Sequence, residues 1–358
     1  MTTYNTIITG ICIHGGVNAS NQVGTPACVN TTVGAATNNT VTDVEIFNIT
    51  KPNQDVGNSG AVLVQGNAAN TTISYSYFHS LTGMGIRAGA FTNAGDTISN
   101  LNITGNAIFL SMQNNEDGAC VFLSDVRATS TNLNVTKNMC RDYEGSSSGT
   151  GSGSGPTWCG YFDGGTSNVN FIGNVCGNPG NSATPPAAFQ GMVYINCGEN
   201  VVIEGNIFDL GYNGDVITMG MGSSCGAPGT TTAMTGNKFK YNIVIMNFTG
   251  FLHTANFGGS GCAGKAFISG SPPPHYPDIS DNIYWNYAAG GAAQYPGCWI
   301  RESAATVADP LVSGLGTGGY TINPTSPAFN SPVNFPGITA GWGNLISIAQ
   351  SASAPPSN

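Results

Sequence analysis

The sequence predicts an all-β solenoid, in which short strands wind into stacked coils. A strand-prone motif recurs about every thirty residues, and no helical stripe of apolar residues separates the repeats. The composition agrees, because the 358 residues include 51 glycines and only 8% are charged, against about a quarter in an ordinary soluble domain. Glycine and the abundant Asn, Thr and Ser are weak in helix interiors and favour turns and strands.

Composition also excludes several classes of protein. A content of 40% hydrophobic residues is too high for a disordered chain. No apolar run approaches the roughly 20 residues of a membrane-spanning helix, so we expect no membrane insertion. The formal charge of -9 argues against a nucleic-acid partner or an anionic membrane surface.

Each repeat contains a β-prone stretch, a Gly or polar residue, an anchoring Asn, and then an apolar residue or Cys. The anchors are spaced 32, 36, 32 and 31 residues apart: Asn106, Asn138, Asn174, Asn206 and Asn237. A second strand-like segment follows each anchor, and a propeller blade would need a longer, four-stranded unit. We expect the anchor side chains to stack at the coil bends as a hydrogen-bonded ladder, which is a structural role.

The repeats resemble the right-handed parallel β-helix of the pectate-lyase-like superfamily. The resemblance covers roughly residues 4 to 300, and it includes Asp309-Pro-Leu-Val and Asn323-Pro-Thr-Ser-Pro-Ala-Phe329, which are similar to the closing segment of many secreted bacterial β-helix proteins. It implies a single-stranded right-handed parallel β-helix over residues 1–303 and an irregular C-terminal closing segment over residues 304–358. The resemblance is specific for fold and weak for activity.

The start of the chain already reads as a full coil, from Tyr4 to His14, whereas members of this superfamily usually cap the first coil. We therefore expect a larger parent chain or a first coil that another chain covers. A homo-oligomer, such as the trimer typical of tailspikes with this fold, would provide that cover.

The ten cysteines follow the coil period. Cys140 and Cys176 are 36 residues apart, and Cys159 and Cys197 are 38 apart. Adjacent coils lie about 4.8 Å apart, within the Cα range of a disulfide. Two alternatives follow: an inward ladder of thiols, which we favour because Phe fills comparable places in other coils, and disulfides, which would indicate an oxidising compartment.

Alternation along the second strand of each coil predicts which residues face outward. Counting from the opening Gly, the even positions form a core face, apart from Arg87. This face includes Val193 and Ile195, with Phe122 and Thr218 at the equivalent places. Odd positions face outward, and they include aromatic, amide and imidazole groups: Tyr161, Tyr194, Asn196 and His253. Rings stack on pyranose CH faces while polar groups pair with hydroxyls, so these four are predicted to bind a polysaccharide.

Asp125 and Asp163 are the first candidates for catalysis. They lie one coil apart with an offset of two residues, which places their Cα atoms about 8 Å apart and permits either carboxyl separation used by glycosidases. Arg127 is a nearby orienting group. Asp215 is a weaker third candidate, because it could simply start a strand, and solvated or turn carboxylates explain all three equally well.

Three classes of function remain. A glycoside hydrolase would use the Asp pair, whereas a polysaccharide lyase needs cations that the central coils supply only sparsely. A non-catalytic spike, adhesin or sheath protein would use the β-helix as a durable rod. Each class predicts an extracellular, cell-surface or virion-associated protein. No cofactor is required, although acidic loops such as Glu116-Asp117 could supply Ca²⁺ ligands.

Overall fold

The structure, a computed structural model, confirms an all-β parallel solenoid with three parallel sheets. The handedness of the coil stays a prediction. The residues that the structure describes are 11–15, 36–49, 60–66, 68–89, 97–112, 118–124, 130–143, 157–177, 191–210, 215–220, 234–246, 253–256, 277–287, 306–313, 320–323 and 325–330. One helical turn, Pro327–Asn330, lies among them.

In each coil the chain passes through sheet B, then sheet C, then sheet A. Sheet A has eight strands: Ile11–Gly15, Gly60–Gly66, Met84–Gly89, Gly118–Ser124, Thr157–Asp163, Gly191–Asn196, Asp215–Gly220 and His253–Asn256. Sheet B has Ala36–Thr37, Thr40–Thr42, Ala68–Ser74, Ile98–Thr104, Leu133–Thr136, Val169–Ile172, Val202–Glu204, Lys238–Lys240 and Asp278–Ser280. Sheet C has Glu45–Phe47, Tyr77–His79, Ala107–Phe109, Met139–Arg141, Val175–Gly177, Ile207–Asp209, Ile243–Met246, Ile283–Asn286 and Thr306–Val307.

The core lies inside the three sheets and consists of stacked rows of apolar side chains. The short strands of sheet C show the rule, since the middle residue of each points inward and its two neighbours point outward. One inward row reads Phe78, Ile108, Cys140, Cys176 and Phe208. A coil buries such residues only against its neighbours, so the coils stabilise one another.

The predicted Asn ladder is present and fully buried. Its six members are Asn106, Asn138, Asn174, Asn206, Asn242 and Asn282. In the first five, Nδ2 donates both to the Oδ1 of the Asn one coil further on, at 2.9–3.2 Å, and to a backbone carbonyl. The backbone N–H of each donates to the same Oδ1 at 2.7–3.0 Å. Every hydrogen-bonding atom of these amides is therefore used, which offsets the free-energy cost of removing the amides from water.

The prediction of Asn237 as the fifth anchor is wrong, because Asn242 holds that place. Asn237 is buried at a different bend, before sheet B, where its Oδ1 accepts from the Val201 N–H and its Nδ2 donates to the Gly198 carbonyl. Both bends have a residue in the left-handed region immediately before the Asn, Gly236 at φ +74 and Tyr241 at φ +56. Both bends show the same sequence pattern, a residue that adopts the left-handed conformation followed by Asn, so the spacing of Asn residues alone does not tell the two bends apart.

The favoured ladder of free thiols is also wrong. Cys140 and Cys176 are register partners in sheet C, as their spacing predicts. Each, however, forms a disulfide across the core to the sheet A strand that precedes it in the chain: Cys120 with Cys140, and Cys159 with Cys176. The bonded Cα atoms are 6.2 and 5.8 Å apart. Among the described residues no cysteine is free.

The closing segment packs along the outside of sheet C. Val312, Tyr320 and Ala328 share one buried cluster with outward residues of that sheet such as Ile207. The Tyr320 hydroxyl donates to Asp209 Oδ2 at 2.8 Å, 111 residues away in sequence. A short antiparallel pair, Val312–Ser313 with Thr321–Ile322, stiffens the segment.

Candidate functional site

The outer face of sheet A carries a single register row in the central coils. It reads Leu63, Arg87, Phe122, Tyr161 and Tyr194. The prediction that Phe122 faces the core is therefore wrong, as is the pairing of Thr218 with the core position Ile195, since Thr218 is in register with Tyr194. Arg87, the exception among the even positions, lies in the outer row. Strict alternation fails because Cys120 and Val121 are consecutive and both belong to the core cluster.

The rings of this row form a packed aromatic cluster with Trp158. The ring centroids of Trp158, Tyr161 and Tyr194 are all 4.6 Å apart, and the Tyr161 and Tyr194 planes are nearly parallel at 28°. Phe122 meets Tyr161 edge-on at 4.7 Å, and the Arg87 guanidinium lies 5.4 Å from the Phe122 centroid. Trp158, three residues before Tyr161, was missed by sequence reasoning, although an aromatic pair at this spacing is visible in the sequence.

The rings of this cluster differ in their exposure to solvent. Tyr161 is only 4% exposed, whereas Tyr194 is partly exposed. Trp158 is 1% exposed, and its Nε1 has no hydrogen-bond partner among the described residues. Tyr194 is therefore the ring of this cluster that a ligand can reach, and Trp158 and Tyr161 support it from beneath.

Asp163 and Asn196 end neighbouring strands of sheet A and are joined directly. Asn196 Nδ2 donates to Asp163 Oδ1 at 2.7 Å, and the Gly164 N–H donates to the same oxygen at 2.7 Å. The Asp163 backbone carbonyl accepts from Thr166. Asp163 is therefore a turn-forming residue and also a half-buried carboxylate with a fixed orientation, beside Asn196 and Tyr194 on the next coil.

The remaining predicted residues fall into two groups. Asp125 and Arg127 lie outside the described residues. Asp163 is in register with Ser124, whereas the predicted offset of two residues would have placed it opposite Leu123. Asp215 does start a strand, and the register pairs it directly with His253 on the next one. The sequence treated Asp215 and His253 separately, and the fold makes them neighbours in one sheet.

The described residues define a fold and do not identify a relative. They contain no group of three or more His, Cys, Asp and Glu that could hold a metal ion. They also contain no helix that is both long and apolar enough to cross a membrane. No protein-family model, curated protein or solved structure matches the chain. The class defined is thus a parallel β-solenoid with an aromatic outer face on sheet A.

Proposed function

We propose that this protein acts on extracellular polysaccharide as a glycoside hydrolase, at the carboxyl-terminal ends of the sheet A strands, where Asp163 lies. The observation that carries the proposal is the group formed by Asp163, Asn196 and Tyr194 on two successive coils. A carboxylate, an amide and an aromatic ring on two adjacent strands are the groups that bind a sugar and act on its glycosidic bond.

The geometry suits Asp163 to a chemical role as well as to its turn. Asn196 and Gly164 both donate to Oδ1, and Oδ2 has no hydrogen bond among the described residues. Oδ2 is the atom through which Asp163 would act as nucleophile or base, with Asp125 as the second carboxylate that either glycosidase mechanism requires. The partly exposed ring of Tyr194, two residues before Asn196 on the neighbouring strand, supports sugar binding on the same face.

The disulfides support an extracellular location. Cys120–Cys140 and Cys159–Cys176 join two sheets inside the core, and bonds of this kind persist in oxidising compartments. A lyase is less well supported, because the Arg87 guanidinium is almost fully buried and lies over Phe122, where it is poorly placed to neutralise a uronate.

The test is incubation of the protein with a panel of neutral and acidic glycans, followed by assays for reducing ends and for the ultraviolet absorbance of unsaturated products. New reducing ends without that absorbance support the hydrolase, and reducing ends with it indicate a lyase. Asp163→Asn should abolish the activity. Asp281→Asn is the matched control, since Asp281 is likewise a half-buried carboxylate at a bend of a coil but lies between sheets B and C. Full activity in Asp163→Asn would contradict the proposed role.

A non-catalytic rod is the second candidate. One observation favours it: the hydrogen bonds of Asp163 Oδ1 are those of an ordinary turn-stabilising carboxylate. The six-residue Asn ladder and the two disulfides suit a durable rod equally well. This candidate predicts no new reducing ends with any glycan in the panel.

A further inference from the structure

The outer face of sheet C is closed at one end of the solenoid and open at the other. Four large hydrophobic side chains are exposed among the described residues, and three of them flank the first three coils of this sheet: Phe47 at 50%, Tyr75 at 58% and Leu110 at 41%. The fourth, Val307, is 52% exposed and lies on the last strand. We call the open region the sheet C patch, and its members are Glu45, Phe47, Tyr75, Tyr77, His79 and Leu110.

The outer face of sheet C changes from exposed to buried along the solenoid because the closing segment packs on its later coils. Val312, Tyr320 and Ala328 cover the later coils, where one outward row is aliphatic and includes Val175, Ile207 and Ile243. Phe109 is the first patch-side residue that is buried, and Tyr77 packs partly against the same cluster. The patch is thus the uncovered continuation of a surface that the chain covers elsewhere with its own apolar side chains.

Rings and polar groups alternate within the patch and hold one another in place. His79 stacks on Phe47, with centroids 5.1 Å apart and planes 2° apart, and on Tyr77 at 4.2 Å. His79 Nε2 lies 3.1 Å from Glu45 Oε1, and His79 Nδ1 lies 3.2 Å from Ser80 Oγ. Tyr77 also meets Phe109 edge-on. Groups fixed in this way lose little conformational freedom when a ligand binds.

We propose that the sheet C patch is a second binding surface for a neutral glycan, separate from the Asp163 site on sheet A. Three coils along the axis and the six residues from Tyr75 to Ser80, which span five steps along the chain, give an area of about 10 by 16 Å, enough for a few pyranose units. Aromatic rings interleaved with a carboxylate, an imidazole and a hydroxyl match the two faces of a sugar, which are CH-rich and hydroxyl-rich.

Charge selects the class of glycan. Glu45 and Asp43 are both exposed on the first coil, and the described residues of the first two coils place no Lys or Arg on this face. The surface potential is therefore negative and disfavours a polymer of uronates. The choice of a glycan as partner rests on the proposed function, whereas the binding itself needs no catalysis.

The test is affinity electrophoresis through gels that contain hydroxyethylcellulose, galactomannan, dextran or polygalacturonate, with Asp163→Asn as the background so that no polymer is cut. We expect at least one neutral polymer to retard the protein, and Phe47→Ala and His79→Ala each to weaken that binding about tenfold. Val307→Ala is the matched control, because it removes an equally exposed apolar side chain at the other end of sheet C and should leave retardation unchanged.

Three results would overturn the inference: retardation by polygalacturonate alone, no retardation by any of the neutral polymers, or equal retardation of Phe47→Ala and the control. A fourth is an oligomer in light scattering that Phe47→Ala converts to monomer, since the patch would then bind a second copy. Failure of the proposed function looks different, because retardation that depends on Phe47 would persist while no reducing ends form.

Discussion

Replacing Asn174 with Ala removes the centre of the buried ladder and gives the sharpest test of how the solenoid is held together. The substitution deletes four side-chain hydrogen bonds and leaves two donors of Asn138 unpaired, its backbone N–H and one Nδ2 hydrogen. A buried unpaired donor costs about 1–3 kcal/mol, so the free energy of unfolding should fall by about 2–6 kcal/mol. A typical domain has about 5–15 kcal/mol in total.

Asn170→Ala is the matched control, because Asn170 lies in the same coil and donates one hydrogen bond, at 2.9 Å to Asn134 Oδ1, on the outer face of sheet B. Water can replace that bond, so the loss should stay within about 1 kcal/mol. Urea unfolding followed by circular dichroism measures both variants. Equal destabilisation by the two substitutions would refute the argument that burial, rather than the amide itself, makes the ladder stabilising.

Three further predictions concern other parts of the solenoid. A Cβ at Gly177 would overlap the Tyr320 hydroxyl, so Gly177→Ala should speed hydrogen exchange in residues 306–313 and 320–323, and unchanged exchange would contradict the docking. Replacing Cys120 and Cys140 together by Ala opens a loop with a sequence separation of 20 and should lower the free energy of unfolding by about 3 kcal/mol; a loss near zero in urea titrations would show that the bridge does not constrain the unfolded chain. Burial and the nearby Asp209 raise the pKa of Tyr143 and of Tyr320, so stability is fully present below about pH 10 and should fall above it by about 1.4 kcal/mol per pH unit for each tyrosine; unfolding titrations of Tyr143→Phe should show a shallower alkaline loss.

The period of the repeats could be predicted from the sequence because each coil must bury the same inward positions against the neighbouring coils. Asn106, Asn138, Asn174 and Asn206 are all ladder members, and Cys140 and Cys176 are register partners. The fifth anchor could not be separated from Asn237, because two bends in one coil need the same left-handed residue followed by Asn. The spacing of repeats thus gives the coil, and it leaves open which bend of the coil a motif occupies.

The candidate site was harder to predict than the fold. Asp163, Asn196 and Tyr194 were expected on the outer face. Asn196 donates a hydrogen bond to Asp163 there, and Tyr194, on the same strand as Asn196, stacks on Tyr161. Counting by alternation failed for Phe122, because the consecutive inward residues Cys120 and Val121 shift it by one position. The count that put Arg87 at an even position started one residue early, because Met84, and not Gly83, is in register with Gly60. The contact between Tyr320 and Asp209 had no signal in the sequence, since the closing segment lies outside the repeat and shares no period with the coils.

The scarcity of charge follows from the same stacking. In a parallel solenoid each side chain faces its counterpart about 4.8 Å away, and like charges in such a row would repel. The described register pairs contain no two like charges, and where charges do meet they are opposite: Glu204 with Lys240, and Lys238 with Asp278. Lys240 also forms a salt bridge with Asp278 on the next coil. A charged residue on a described strand therefore has an opposite charge or an uncharged residue opposite it, as Arg87 has Leu63 and Phe122. Asp163, opposite Ser124, follows this rule, and its Oδ2 makes no hydrogen bond among the described residues, which leaves that oxygen available for the proposed chemistry.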